Sequence, residues 1–305
     1  MRRPGTPALL RGFPFAAPNV PLGFEVPPSK ARRGAAYDSS WARDQPARYA
    51  RFFLVEGPMR AAISALASPT RKGLDRLTGI SGPVIFAANH HSHLDAPLLL
   101  TSIPQPFRHR LVVAAAADYF FGNQVTAALS SLAMGAFPIE RSRVSRDSAD
   151  QAAELLDQDW SLLIFPEGGR SPDGWGQGHR GGAAFLSLRT GVPVVPVHLA
   201  GTDRIYPRGA KRLRPGSTTV TFGHPLRPAA GDDARRLAAR IEAAVATLAD
   251  ESATDWWGAR RRAAAGTTPS LTGPGTSGWR RAWALGDRSG RRGGRRPTRR
   301  SWPQL

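Results

Sequence analysis

Three histidines and an aspartate crowd into one run of seven residues, Asn89-His90-His91-Ser92-His93-Leu94-Asp95. The run follows residues 83–88 (PVIFAA), an apolar segment of strand type. A histidine just past a strand end is well placed for chemistry, because side chains there face a crevice. Asp95 comes five residues after His90. On one continuous helix that spacing separates the two by about 140°. They meet only if His90 lies in the loop and Asp95 in the first helical turn. The carboxylate then accepts from one ring nitrogen and leaves the other to take a proton from an attacking hydroxyl. Two other readings fit the same residues. Ser92-x-x-Asp95 is a capping-box pattern that secures a helix start. Three histidines and an aspartate could also hold a metal such as zinc. His91 and His93 read as solvated or supporting groups.

A second cluster, Phe165-Pro166-Glu167-Gly168-Gly169-Arg170-Ser171, follows the apolar run SLLIF at 161–165. Its glycines let the backbone approach a ligand closely. Arg170 can hold a phosphate in a bidentate fork. Read alone, the segment is also an ordinary strand-exit loop with a solvated arginine. A third element, Gly135 to Arg141 (GAFPIER), places Arg141 toward an anion or, more blandly, beside Glu140 in a surface pair worth about 0–1 kcal/mol. A fourth, residues 192–197 (VPVVPV), reads as structural packing.

The elements that must position these residues alternate. Strand-type runs at 83–88, 111–115, 136–139, 161–165, 192–199 and 218–222 are separated by helical patterns at 92–100, 123–133, 149–159 and 182–189. A closing helix at 233–249 turns Leu237, Ile241, Val245 and Leu248 to one face. This order predicts an α/β fold with a mostly parallel central sheet flanked by helices. Two prolines place the 192–199 strand at a sheet edge or a bulge. Upstream, Phe52, Phe53, Val55, Met59, Ile63 and Leu66 form a helical stripe interrupted by Gly57 and Pro58. It reads as a helix docked on the core or resting on a membrane.

The boundaries follow composition. Residues 1–46 are rich in Pro, Arg and Gly and read as irregular, residues 47–255 as the folded domain with its membrane-facing first helix, and residues 256–305 as an Arg/Gly/Trp-rich tail. Of the net charge of +19 over 305 residues, the middle contributes little: residues 49–255 hold 22 Lys/Arg against 19 Asp/Glu, and residues 256–305 hold 12 against 1. With no cysteine, a disulfide framework, a thiolate metal site and a cysteine nucleophile are excluded. Arg2 and Arg3 precede prolines and glycine rather than an apolar run, which argues against a signal peptide. Residues 119–139 carry no charge and are long enough for a span, but their Gly, Asn, Gln, Ser and Pro make them a poor membrane span.

The four clusters stand in the order seen in glycerolipid acyltransferases of the 1-acylglycerol-3-phosphate type, which the chain resembles over about residues 49–250. Asn89, His90 and Asp95 match that family's Asn-His-x4-Asp motif, Gly135 to Arg141 resembles its second, and residues 165–171 match its Phe-Pro-Glu-Gly-Thr-Arg-Ser at six of seven positions, with Gly169 in place of Thr. The basic residues that usually follow the third motif are represented by His179 and Arg180. The resemblance displaces the zinc reading. It implies acyl transfer from an acyl-CoA or acyl-carrier-protein thioester to a lysophospholipid hydroxyl, with His90 as general base and Asp95 orienting it. It implies that Asn89, Arg141, Glu167, Gly168, Gly169 and Arg170 bind substrate, with no metal and no further cofactor. An anionic membrane surface on the cytoplasmic face of the plasma membrane is the expected location. The arginine runs 291–296 and 299–300 would then meet lipid headgroups rather than nucleic acid.

Overall fold

A computed structural model describes residue 34, residues 37–140, 146–171, 174–207, residue 210 and residues 212–273. Arg2, Arg3, Arg141 and the arginine runs beyond 290 lie outside these residues. The chain enters through α1 (Ala47–Leu54) and α2 (Arg60–Ala67). Gly57 and Pro58 do not break this helical course. They sit in a single π-helical turn, Val55–Met59, that joins the two helices. A wide turn tolerates the missing N–H of proline. Then follow β1 (Pro69–Lys72), β2 (Ile85–Ala88), α3 (Asp95–Ser102), β3 (Leu111–Ala116), α4 (Ala117–Phe120), α5 (Gln124–Met134) and β4 (Ala136–Ile139). The second half contains α6 (Arg146–Asp157), β5 (Ser161–Ile164), α7 (Gly182–Thr190), β6 (Val194–Ala200), α8 (Thr202–Ile205), β7 (Thr218–Phe222), α9 (Ala234–Ala253) and α10 (Trp256–Ala264).

The strands form one sheet in the order β1-β7-β6-β2-β5-β3-β4. All neighbours are parallel except β6 and β7. Central parallel strands are covered on both faces and so lack polar alternation. β2 is the clearest case: Phe86 and Ala88 enter one apolar cluster, with Leu98, Leu163 and Val197, while Ile85 and Ala87 enter another, with Leu156, Leu162 and Ile241.

β6 is central rather than at an edge, and the other expectation, a bulge, is met: between the Val194–Leu226 and Val197–Phe222 pairs, residues 195 and 196 face three residues, 223–225. The Val194 N–H donates to Leu226 on the β7 side. With a strand period of two, position 196 faces the same side. There the chain between Phe222 and Leu226 turns away, and Gly223 donates to the Pro196 carbonyl instead. No donor is missed, so proline is tolerated. The sequence pattern also misses β1, a short polar edge strand (PTRK) pairing with β7.

The helical stripe on α1 and α2 divides. Val55 and Ile63 are buried, whereas Phe53 is 70% exposed and Phe52 and Tyr49 also face outward. Past Asp255, where a tail is expected, the chain instead forms α10. Arg262 binds Asp250 of α9 through two bonds of 2.6 and 2.8 Å. Among the described residues no helix is long and apolar enough to cross a membrane.

Candidate active site

β2 and β5 pair in parallel, with Ile85 opposite Leu162 and Ala87 opposite Ile164. Carried three residues past the Ala87–Ile164 pair, the same offset sets His90 beside Glu167. The His90 N–H donates to Glu167 Oε1 at 3.0 Å. Glu167 Oε2 accepts from the Gln177 N–H at 2.9 Å. On the other side of the same peptide run, the Ser171 N–H donates to the His90 carbonyl at 2.8 Å. The backbone of His90 is thus held at both ends by the second cluster.

Its side chain is held by Asp95. His90 Nδ1 lies 2.9 Å from Asp95 Oδ2, and the same oxygen accepts from the His91 and Ser92 N–H groups at 2.7 and 2.8 Å. Asp95 heads α3 and is fully buried. Its placement in the first helical turn, with His90 in the loop, is the geometry that the five-residue spacing demands. The Ser92 N–H to Asp95 bond is the one a capping box would make, but α3 begins at Asp95 itself, with Leu94 as its N-cap and no side-chain cap bond. One carboxylate oxygen therefore ties the turn before the helix and fixes the imidazole. Hydrogen bonds to a charged acceptor are worth about 1.5–3 kcal/mol each, which offsets the cost of holding the carboxylate away from water. Because Oδ2 is acceptor-only, Nδ1 carries the proton and Nε2 is left as a base. The ring stacks on Phe165 with centroids 4.1 Å apart, which restricts its rotation. Among the described residues no three His, Asp or Glu side chains come together as a metal-holding group.

His90 faces a cavity of about 350 Å³ at the C-terminal edge of the sheet. Its lining includes apolar residues, Ala114, Ala115 and Ala116 of β3 with Pro97, Met134 and Ile164. It also includes Arg170, Arg180, His93 and Tyr119. Gly168 has φ +73°, and a Cβ there would meet Arg180 Nε at 2.6 Å, so glycine lets the guanidinium lie against the loop backbone. Gly169 also lines the cavity, but a Cβ on it would touch nothing within 4 Å, so no steric demand requires glycine at that position. The Arg170 guanidinium sits over the Tyr119 ring at 5.7 Å.

Two expected substrate-binding residues face elsewhere. Asn89 is 1% exposed. Its Nδ2 donates to the Leu199 carbonyl at 2.9 Å and its Oδ1 accepts from the Leu199 N–H at 2.7 Å, so the amide stitches the end of β2 to β6. Glu167 is 2% exposed and spends both oxygens on backbone N–H groups. Strand ends inside a domain leave backbone groups that need partners, and these side chains supply them. Arg141 lies outside the described residues, although its neighbour Glu140 lines the cavity.

Other residues at the site carry little sequence signal. Tyr119 arrives on α4, 26 residues from His93, and its hydroxyl lies 3.2 Å from His93 Nε2. Burial, then the charges of Arg170 and His90, push the His93 pKa down to about 4, so this ring is neutral at ordinary pH. Its place two residues before Asp95 is the one hint. Gln177 donates from Nε2 to the Gly169 and Arg170 carbonyls at 3.3 and 3.4 Å.

Burial pushes the Glu167 pKa up to about 7, against the lowering effect of its two N–H donors. A folded-state value above the unfolded one means that the folded protein binds the extra proton between about pH 4.5 and 7. The stability this residue contributes is therefore present at low pH and is lost as pH rises through 7. Glu167→Gln should flatten that decline. Thermal melts across this range check it, and a decline as steep as in the wild type would refute it.

Comparisons with known proteins agree with the geometry. Residues 68–200 match the family model described as Acyltransferase. The chain is 33% identical over 158 residues to the chloroplastic 1-acyl-sn-glycerol-3-phosphate acyltransferase BAT2 of Brassica napus, covering 51% of this chain and 44% of that one. It is 28% identical over 181 residues to human 1-acyl-sn-glycerol-3-phosphate acyltransferase alpha, covering 57% and 62%. The chain thus spans about half the length of such curated relatives. In fold it is similar to the 1-acyl-sn-glycerophosphate acyltransferase PlsC of Thermotoga maritima, with a TM-score of 0.52 at 22% identity over 70% of this chain and 83% of that one. The match to the Acyltransferase family model thus runs from residue 68, just before β1, to the end of β6.

Proposed function

We propose that this chain transfers a fatty acyl group from an acyl-CoA or acyl-carrier-protein thioester to the free hydroxyl of 1-acyl-sn-glycerol-3-phosphate, giving phosphatidate. The observation that carries the reading is the His90–Asp95 pair facing a cavity lined by both apolar and cationic side chains. The apolar lining suits acyl chains, and Arg170 and Arg180 suit a phosphate.

In this mechanism His90 Nε2 takes the proton as the acceptor hydroxyl oxygen attacks the thioester carbonyl carbon. Asp95 stabilises the imidazolium that forms. The tetrahedral intermediate collapses with cleavage of the carbon–sulfur bond. The thiolate leaves and takes up the proton from the imidazolium. No covalent acyl-enzyme is needed, and the chemistry requires no metal or further cofactor. We place the enzyme peripherally on an anionic membrane surface, at the cytoplasmic face of the plasma membrane. Outward-facing Tyr49, Phe52 and Phe53 of α1, with Val125 and Leu129 of α5, support that orientation.

The test is turnover of lysophosphatidate with labelled acyl-CoA by the purified full-length chain, alongside other lysolipid acceptors. Arg170→Ala should raise the acceptor KM about 10- to 100-fold, the equivalent of about 1.5–3 kcal/mol for a lost charged hydrogen bond, and leave the donor KM in place. Equal turnover of acceptors with and without a phosphate monoester would overturn the choice of acceptor.

A further inference from the structure

We propose that residues 267–273, which lie beyond the matched domain, form a strap that positions the phosphate-binding loop. This inference rests on the acyl-acceptor reading above for its kinetic consequence, though not for its structural one.

The strap is anchored and then bonded to the loop. Arg262 of α10 holds Asp250 of α9 by two bonds, and the Thr267 N–H donates to the Arg262 carbonyl at 2.9 Å. Four residues on, the Leu271 carbonyl accepts from the Gly176 N–H at 2.8 Å. A Cβ on Gly176 would lie 3.2 Å from Leu271 Cβ, so the two backbones are in close approach. Gly273, at φ +81°, rests on the indole of Trp175. A Cβ there would stand 2.7 Å from Trp175 Cδ2. Only glycine combines that backbone angle with that proximity.

From Trp175 and Gly176 the bonds run directly into the site. The Trp175 carbonyl accepts from Ser171 Oγ at 2.7 Å, and Ser171 in turn donates its N–H to the His90 carbonyl. The next residue, Gln177, donates to Glu167 through its backbone and to the Gly169 and Arg170 carbonyls through its side chain. The strap is therefore two hydrogen bonds from the peptide of Arg170 and three from that of His90. The loop is also tied to the domain by the His179 N–H on Glu242 of α9, at 2.9 Å, and by the Arg180 N–H on the Pro166 carbonyl, at 2.8 Å. The strap packs against Trp175 and Gly176. Leu271 and Gly273 act through that loop and touch no reacting atom, so they are positioning residues.

The experiment uses the full chain with Gly273→Val, Trp175→Ala, the double variant and Trp175→Phe. Hydrogen exchange at the Gly176 amide reads the strap without any substrate. Steady-state kinetics with lysophosphatidate and acyl-CoA read its effect on the loop. Gly273→Val should speed Gly176 exchange and raise the acceptor KM about three- to tenfold, with the donor KM and the melting temperature unchanged. Trp175→Ala should do the same. The double variant should be no worse than either single change, because both break one contact, and Trp175→Phe should restore most of the affinity. Unchanged Gly176 exchange in Gly273→Val would overturn the strap itself. Faster exchange with an unchanged acceptor KM, or with donor and acceptor KM rising together, would overturn its positioning role. If the wild type does not turn over lysophosphatidate, the acceptor reading fails, and the exchange result still decides whether the strap exists.

Discussion

On the proposed mechanism, His90→Ala should lower kcat about 10²- to 10⁴-fold, the loss expected when a positioned general base is removed. The acceptor hydroxyl then has only water to receive its proton as it attacks. Acceptor KM should change little, because the proposed phosphate ligands are Arg170 and Arg180 rather than the imidazole. The fold survives: the His90 side chain is 20% exposed, and its structural bonds are made by its backbone N–H and carbonyl, which alanine retains. Product formation followed by mass spectrometry, with circular dichroism on the same sample, separates lost chemistry from lost folding. Turnover within about tenfold of the wild type in a folded variant would remove His90 from the mechanism.

Asp95→Asn produces a loss of similar size, about 10²- to 10⁴-fold in kcat, for a different reason. The amide oxygen can still accept from the His91 and Ser92 N–H groups, so the turn before α3 is kept. What disappears is the negative charge that stabilises the imidazolium. Asp95 Oδ1 is buried with no partner, so an amide NH2 placed there would also lack an acceptor. Turning the amide round instead sets its NH2 against three donors on the Oδ2 side. Either way the ring is held less well. Asp95→Ala is the poorer probe, because it strands two buried N–H groups at about 1–3 kcal/mol each and confounds folding with catalysis. The two residues act as a unit, so the double variant His90→Ala/Asp95→Asn should be no slower than His90→Ala alone. Losses that multiply would show that Asp95 serves the reaction by some other route.

Which features were legible in the sequence follows from how far apart the interacting residues lie. α5, α7 and α9 were readable because helix periods, an Asn123 or Asp233 cap and a terminal Gly135 or Gly191 are all local. The central location of β6 was not. The rule that sends proline to an edge assumes a missed donor, and whether one is missed depends on where residues 223–226 run. Likewise α10 looked like a tail, because Trp, Arg and Gly give no apolar period. Its anchor is a bidentate ion pair to a residue twelve positions back.

The sequence by itself determined the α/β class, the four clusters and the His90–Asp95 pair, since a loop residue and a first-turn carboxylate five positions apart meet through local geometry. Tertiary structure decided the roles of the polar residues around them. Asn89 and Glu167 have the residue types of ligand binders, yet they bond to backbone because the strand ends they follow are buried and their N–H and carbonyl groups need partners. Glu167 reaches His90 only because the pairing of β2 with β5 carries a long sequence separation into register. Tyr119 at His93 and Gly273 at Trp175 arrive by the same non-local route. Side-chain chemistry can be read from residue type, but which groups remain unsatisfied, and hence where that chemistry is directed, is settled only when the chain is packed.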